Sequence, residues 1–354
     1  MSLILFLIIL SALVIVHELG HLSVAKFFGI RVDEFGLGYP PRAKKLFRWK
    51  GTDFTLNWLP FGGFVKIFGE SYEDLAVGPP SDSFQYKNRG IQASVLVAGV
   101  VGNFLFAWVL LSLGFISGLP APVGANLPVE NIETVITTVV PDSPAFQAGI
   151  KSGDTLVSIN GISLFPEAAA DYIAHYDSKL NFKIKRGEEI LTKEVVPAEG
   201  IVAGQKAVGI SMESLGIVKL PFFRAFFEGW KTTWALTVAT AEALGQFVSD
   251  AVVGKADLST VTGPVGLVGM VGEVGALGFS HLLAFTALIS INLSIINLLP
   301  FPALDGGRLL FVGIESVTRR RISPRIFNTL NTAGFALLIF LMILVTIHDV
   351  KNVF

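Results

Sequence analysis

Residues 17–21 read HELGH, inside the apolar run SLILFLIILSALVIVHELGHLSVAKFF of residues 2–28. A helix of about 20 mostly apolar residues crosses a bilayer, and this run is long enough to do so. Two histidines and a glutamate in one turn of such a helix are costly unless they face a partner or an enclosed cavity. Helical residues four apart share a face, so His17 and His21 point the same way. Their imidazoles can hold one Zn²⁺, with Glu18 beside them as general base. Such a site needs a third protein ligand and leaves a fourth position for water, whose pKa zinc lowers towards about 7.

The composition agrees with a membrane setting. Of 354 residues, 52% are hydrophobic and 16% charged, where a soluble domain has about 25% charged residues. Mean hydropathy is +0.63. A net charge of -1 gives no reason to expect nucleic acid. The chain has no cysteine, so a metal must use histidine and carboxylate ligands.

Four stretches are expected to span: 3–28, 91–117, 281–300 and 326–348. The first lacks the basic start and the A-x-A site of a cleaved signal, so it reads as a retained span. A fifth stretch, 222–250, carries Arg224, Glu228, Lys231 and Glu242 among aromatic residues. It reads as an amphipathic helix lying at the interface.

Charge orients the spans. Segment 31–90 holds nine Lys/Arg, and the link TRRRISPR joins the last two spans; segment 118–280 has 11 Lys/Arg against 17 Asp/Glu. Basic links stay in the cytoplasm. Four spans then put 31–90 and 301–325 inside, with 118–280 and both termini outside. A fifth span would put TRRR outside.

Within 118–280, residues 130–215 hold short β-rich runs separated by turn signals: TVITTVV, DTLVSIN, KLNFKIKR and ILTKEVVP. The stretch VVPDSPAFQAGIKSGDTLVSINGISL, residues 139–164, resembles the bacterial PDZ signature. PDZ domains take peptides by strand addition. Nearer the N-terminus, DFTLNWLPFGGFVKIF at 53–68 alternates apolar and polar residues around a PFGG turn and predicts a β-hairpin. Either it dips into the membrane interface or it is a surface hairpin with a packed aromatic face.

The third ligand must be acidic or histidine, and buried. His281 and His348 stand at span ends, and His175 lies in the β-rich segment. That leaves Asp305 in NLLPFPALDGGR. Pro300 and Pro302 prevent a regular helix there, Gly306 and Gly307 permit unusual backbone, and broken helices are tolerated where they line an enclosed cavity. Topology brings Asp305 to the same side as His17 and His21. Asn292, Asn297 and Asn103 are polar residues within apolar spans. Each is either interhelical glue or a hydrogen-bonding group for an unwound substrate backbone or an oxyanion.

HELGH in the first span, GVVGN in the second and NLLPFPALDGG in the third together resemble the site-2 protease family of intramembrane metalloproteases. A PDZ domain inserted on the outer side, with GLGYPPR, LPFGGFVKIFGE and VTGPVGLVG, resembles its RseP-type bacterial branch. The resemblance implies zinc held by His17, His21 and Asp305, with Glu18 activating water. It implies that Asn297 helps hold the substrate. It also implies that hairpin 54–68 pairs with the substrate as an added strand; Val65 and Ile67 are positions on that strand. There are two departures: the best-known members of the branch carry two tandem PDZ domains where one is found here, and Val100 follows Gly99 where proline is frequent.

The expected architecture is a polytopic α-helical membrane protein with four spans, a membrane-associated β-hairpin and one inserted PDZ domain. Residues 1–117 hold the first two spans and the hairpin, 130–215 the PDZ domain, 216–278 an interfacial helical region, and 279–354 the last two spans. The expected function is that of a zinc endopeptidase of the bacterial inner membrane. Its substrates would be single-span proteins, such as anti-sigma factors trimmed by another protease, or remnant signal peptides. Two rivals are a metal or ion transporter, which would not need Glu18 as base, and a PDZ binding scaffold, which would not need the metal.

Overall fold

The structure is a computed structural model and describes residues 2–70, 81–123, 127–187, 189–202, 204–255 and 262–353. In chain order its helices are α1 (Ser2–Phe27), α2 (Arg89–Ser117), α3 (Pro144–Gln147), α4 (Pro166–Ala174), α5 (Phe222–Val252), α6 (Pro264–Leu277), α7 (Phe279–Leu298), α8 (Asp305–Thr318) and α9 (Pro324–Val353). Among the described residues four helices are long and apolar enough to cross a membrane: α1, α2, α7 and Pro324–Ile347 of α9. Each overlaps the stretch expected from sequence to within two residues. The chain forms two compact units, Met1–Leu113 with Phe226–Gly275 and Leu282–Phe354, and Gly114–Ala225 with Ala276–His281.

In the helical unit, α1 buries Ile9, Leu13, His17, His21 and Ala25. These are spaced by four, one continuous face. Ile9 and Leu13 pack with Val271 of α6 and against Phe106, Phe285 and Ile289 of α2 and α7. The apolar face and the histidines are therefore one stripe, and packing the first fixes the second. α5 forms over nearly the range expected for an amphipathic helix. The Trp108 indole Nε1–H donates to the Phe226 carbonyl at 2.8 Å, and Trp230 meets both Trp108 and Phe104 edge to face. Residues 226–234 of this helix pack against α2.

The hairpin expected at 53–68 is replaced by a different pairing. Strands β1 (Val32–Trp49) and β2 (Thr52–Ile67) are both long. Residues 42–49 pair with 52–57 across the turn at Lys50–Gly51, while 32–37 pairs antiparallel with 63–67. Residues 34–37 also match 53–56, with the partners advancing in the same direction. Segment 32–39 thus lies between the two strands that the sequence reading paired with each other. The side chains explain it: Thr55 donates to Glu34, and Asn57 to the carbonyl of Gly38. Among the described residues, 63–67 pairs with 32–37 alone and is an edge. The stretch 261–269 begins at Val261, outside the described residues.

The second unit is built on a six-stranded antiparallel sheet, order β3-β10-β4-β5-β6-β7. Its strands are β3 (Leu119–Pro122), β4 (Glu130–Val139), β5 (Thr155–Ile159), β6 (Leu180–Arg186), β7 (Glu189–Val195) and β10 (Ile210–Val218); β8 (Ala198–Val202) and β9 (Gln205–Ala207) pair apart. Strand side chains alternate between faces. Leu180, Phe182 and Ile184 are accordingly buried with Ile136, Leu156 and Ile173, while Asn181 and Lys183 face out. Each such side chain contributes roughly 1.5–3 kcal/mol by burial. The sheet extends past the 130–215 expected from sequence, because β3 and the end of β10 add to it. Asp154 is buried and bonds Arg186 at 2.7 Å through both carboxylate oxygens, and it accepts from the Lys151 N–H. Its carboxylate raises the Arg186 guanidinium above its ordinary pKa.

Candidate metal centre and active site

α1 places His17 and His21 one turn apart with their rings edge to face, centroids 4.8 Å apart. α7 ends at Leu298, and Pro300 and Pro302 keep the next residues irregular before Asp305 opens α8. Asp305 Oδ2 lies 3.0 Å from His17 Nε2 and 3.3 Å from His21 Nε2, and the two Nε2 atoms are 3.1 Å apart. All three side chains are largely buried. No other group of three or more potential metal ligands comes together among the described residues.

The donor set fits zinc. It offers two imidazole nitrogens and one carboxylate oxygen, all ligand types that zinc takes. A triangle with sides near 3.1 Å has its corners about 1.8 Å from its centre, close to and slightly short of zinc's usual ligand distance of about 2.0–2.2 Å. The second ring nitrogens are held as well. His21 Nδ1 meets the Val95 carbonyl at 2.8 Å. A carbonyl only accepts, so Nδ1 carries a proton, and in the neutral ring Nε2 is then left with a bare lone pair. His17 Nδ1 lies 3.4 Å from the Asn103 amide nitrogen.

Close helix approach makes this possible. A Cβ on Gly99 would lie 2.4 Å from His21 Nε2 and 2.7 Å from His17 Nε2. A Cβ on Gly20 would meet the Ala98 carbonyl oxygen at 2.2 Å. The first glycine of GVVGN is therefore the surface on which both imidazoles rest. α7 is tied to the same helix, for Ser290 and Ser294 donate to the Asn103 and Val100 carbonyls at 2.8 and 2.9 Å.

Asp305 is positioned from several directions. Ala303 stands at φ 75°, a strained region for a residue with a side chain. Its N–H donates to Asn331 Oδ1 on α9 at 3.2 Å. Arg308, one turn after Asp305, forms an ion pair with Glu70 just past β2. Further along α8, buried Glu315 pairs with Arg89 at 2.7 Å.

Glu18 is half-buried beside His17, and its Cγ lies 4.0 Å from where a Cβ on Gly63 would stand. The free edge strand 63–67 thus starts next to the expected base. Val65 packs against a core cluster in which Ile67 is buried at 3% exposure, so both side chains point inward. Asn103 is fully buried. Asn292 and Asn297 are half-buried on α7 and outside the metal cluster. Sequence reasoning missed Ser290, Ser294, Asn331 and the Arg308–Glu70 pair. The serines alone gave a signal, being four apart in an apolar helix.

The model of Peptidase family M50 matches residues 5–341. The chain belongs to this family, the site-2 proteases, and is a zinc metalloprotease. Among similar proteins, one of Clostridium perfringens named as a zinc metalloprotease is 37% identical over 99% of this chain and 98% of its own length. One of Nostoc is 33% identical over 99% and 96%. The zinc metalloprotease RasP of Geobacillus kaustophilus is 29% identical over 100% and 98%.

Proposed function

We propose that this chain is an intramembrane zinc endopeptidase that cuts single-span proteins or remnant signal peptides near the cytoplasmic side of a bacterial inner membrane. The observation that carries the reading is the convergence of His17, His21 and Asp305 at the junction of helices long and apolar enough to cross a bilayer, with Glu18 adjacent. His17, His21 and Asp305 would hold the zinc. When bound, it lowers the pKa of a water and polarises the scissile carbonyl. Glu18 takes the proton from that water and passes it to the leaving amine.

A helical amide is hydrogen-bonded within its own backbone and must first be unwound. The edge at 63–67 offers unpaired backbone groups to an extended segment and begins beside Glu18. The six-stranded unit is a PDZ domain on the outer side, and it limits access to substrates whose outer domains have been removed. Charge supports that orientation, since 31–90 and 318–325 are the basic links.

Glu18→Gln tests the reading. The amide cannot accept the proton, but it leaves both imidazoles in place, so cleavage is expected to fall by at least about 100-fold with zinc content unchanged. Substantial cleavage by this variant would remove Glu18 from the role of base, and transport of metal by it would favour a carrier.

A further inference from the structure

We infer that Asn103 is a positioning residue for His17, its amide oxygen accepting a hydrogen bond from Nδ1–H and so fixing the tautomer in which Nε2 faces the metal. The inference rests on the reading of His17 as a zinc ligand. It starts from an asymmetry between the two histidines. The Val95 carbonyl can only accept, and it settles the tautomer of His21. His17 has a side-chain amide in the equivalent place, and an amide can turn either end.

The Asn103 nitrogen faces His17 Nδ1 at 3.4 Å, while its Oδ1 is buried with no hydrogen-bond partner. That orientation makes Nδ1 the acceptor. Nε2 then carries the proton, which suits its 3.0 Å bond to Asp305 and leaves nothing to bind a metal. A half-turn of the side chain about Cβ–Cγ exchanges the amide nitrogen and oxygen. Turning the amide puts Oδ1 against Nδ1, which then holds the proton and frees Nε2. The orphaned oxygen gains the partner that it lacks.

The placement is built for this. Asn103 is 0% exposed, and Ser290 donates to its backbone carbonyl at 2.8 Å. Val95, Gly99 and Asn103 recur every four residues along one face of α2. The first and last meet the outer nitrogens of His21 and His17, and the glycine between them meets the rings. Groups behind a ligating histidine typically set metal affinity by about 10–100-fold. A structural role alone, with Asn103 joining α1 and α2, would affect stability but not tautomer or affinity.

The test uses the full chain in detergent, with Zn²⁺ affinity read by chelator competition. Asn103→Leu keeps the size but removes the acceptor and is expected to weaken zinc by about 10–100-fold. Asn103→Asp supplies an acceptor at the same place and should stay within about threefold of wild type. Equal affinity for Asn103→Leu, or equal loss in both variants, would overturn the inference. ¹⁵N spectra of the zinc-loaded wild type need no variant: a protonated His17 Nδ1 is expected, and a bare Nδ1 would overturn it. His17→Ala separates the two levels. If its zinc affinity matches wild type, the ligand assignment itself fails; if it loses zinc while Asn103→Leu does not, only the role of Asn103 fails.

Discussion

Replacing Gly99 by alanine is expected to damage the metal centre without touching a ligand. The new Cβ would lie 2.4 Å from His21 Nε2 and 2.6 Å from His17 Cε1. Non-bonded heavy atoms prefer about 3.5–4.0 Å, so α2 must retreat from α1 by about 1 Å, or the rings must turn away. A retreat of that size stretches the 2.8 Å bond from His21 Nδ1 to the Val95 carbonyl to roughly 3.8 Å, past any hydrogen bond. Loss of such a partner costs about 10–100-fold in metal affinity, and overpacking adds about 1–3 kcal/mol of destabilisation. Zinc affinity by chelator competition, with a thermal melt of the metal-free protein, separates the two effects. Gly102→Ala is the control in the same helix. Its Cβ would meet the Val16 carbonyl oxygen at 3.0 Å and no imidazole atom, so affinity should stay near wild type. Wild-type affinity in Gly99→Ala would refute the reasoning. Equal losses in both variants would show that helix spacing matters in general and that the imidazole contact has no special part.

Other outcomes follow from the same geometry. Asp305→Asn exchanges an anionic ligand for a neutral one and should lower zinc affinity as well as turnover; unchanged zinc binding would place the third ligand elsewhere. Asp154→Ala leaves Arg186 without its buried partner and should destabilise the β unit by about 2–3 kcal/mol, below the range for fully buried pairs because Arg186 is partly exposed; a calorimetric transition within 0.5 kcal/mol of wild type would contradict this, on the scale of about 0.5 kcal/mol for neutral surface changes. On the proposed outer placement of the β unit, deleting 130–215 with a flexible linker should preserve cleavage of short substrates and admit some with bulky outer domains; complete loss in a zinc-loaded deletion would argue against exclusion as its sole role. Proline scanning along 64–68 probes the edge strand, because only positions whose N–H faces the free edge should respond. Proline at such a position should reduce cleavage of helical substrates more than of substrates carrying their own helix breaker; an equal reduction would point to misfolding.

The elements that sequence reading placed well are those whose physics is local. A span of 20 apolar residues is visible one residue at a time, and so is the four-residue spacing that puts His17 and His21 on a face. The alternation of Leu180, Phe182 and Ile184 announces a strand with one buried side. Asp305 was reachable because few acids or histidines remained once positions were excluded. The β1–β2 pairing was not reachable that way. PFGG between two alternating runs signals a hairpin, yet those runs are separated by 32–39, whose polar groups at Glu34 and Gly38 take the hydrogen bonds of Thr55 and Asn57. A competing strand from earlier in the chain leaves no mark on the local pattern. The same holds for the role of Gly99: an isolated glycine in a span can mean close packing anywhere, and only the three-dimensional path of α2 shows that what it packs against is the imidazole pair. Asn331 and Arg308 gave no signal because each acts on a backbone or carboxylate distant in sequence. The boundary between what was legible and what was not therefore follows contact range. Local periodicity assigns the ligands to their helix. Long-range packing by α2, α7 and α9 decides whether those ligands meet with their lone pairs free.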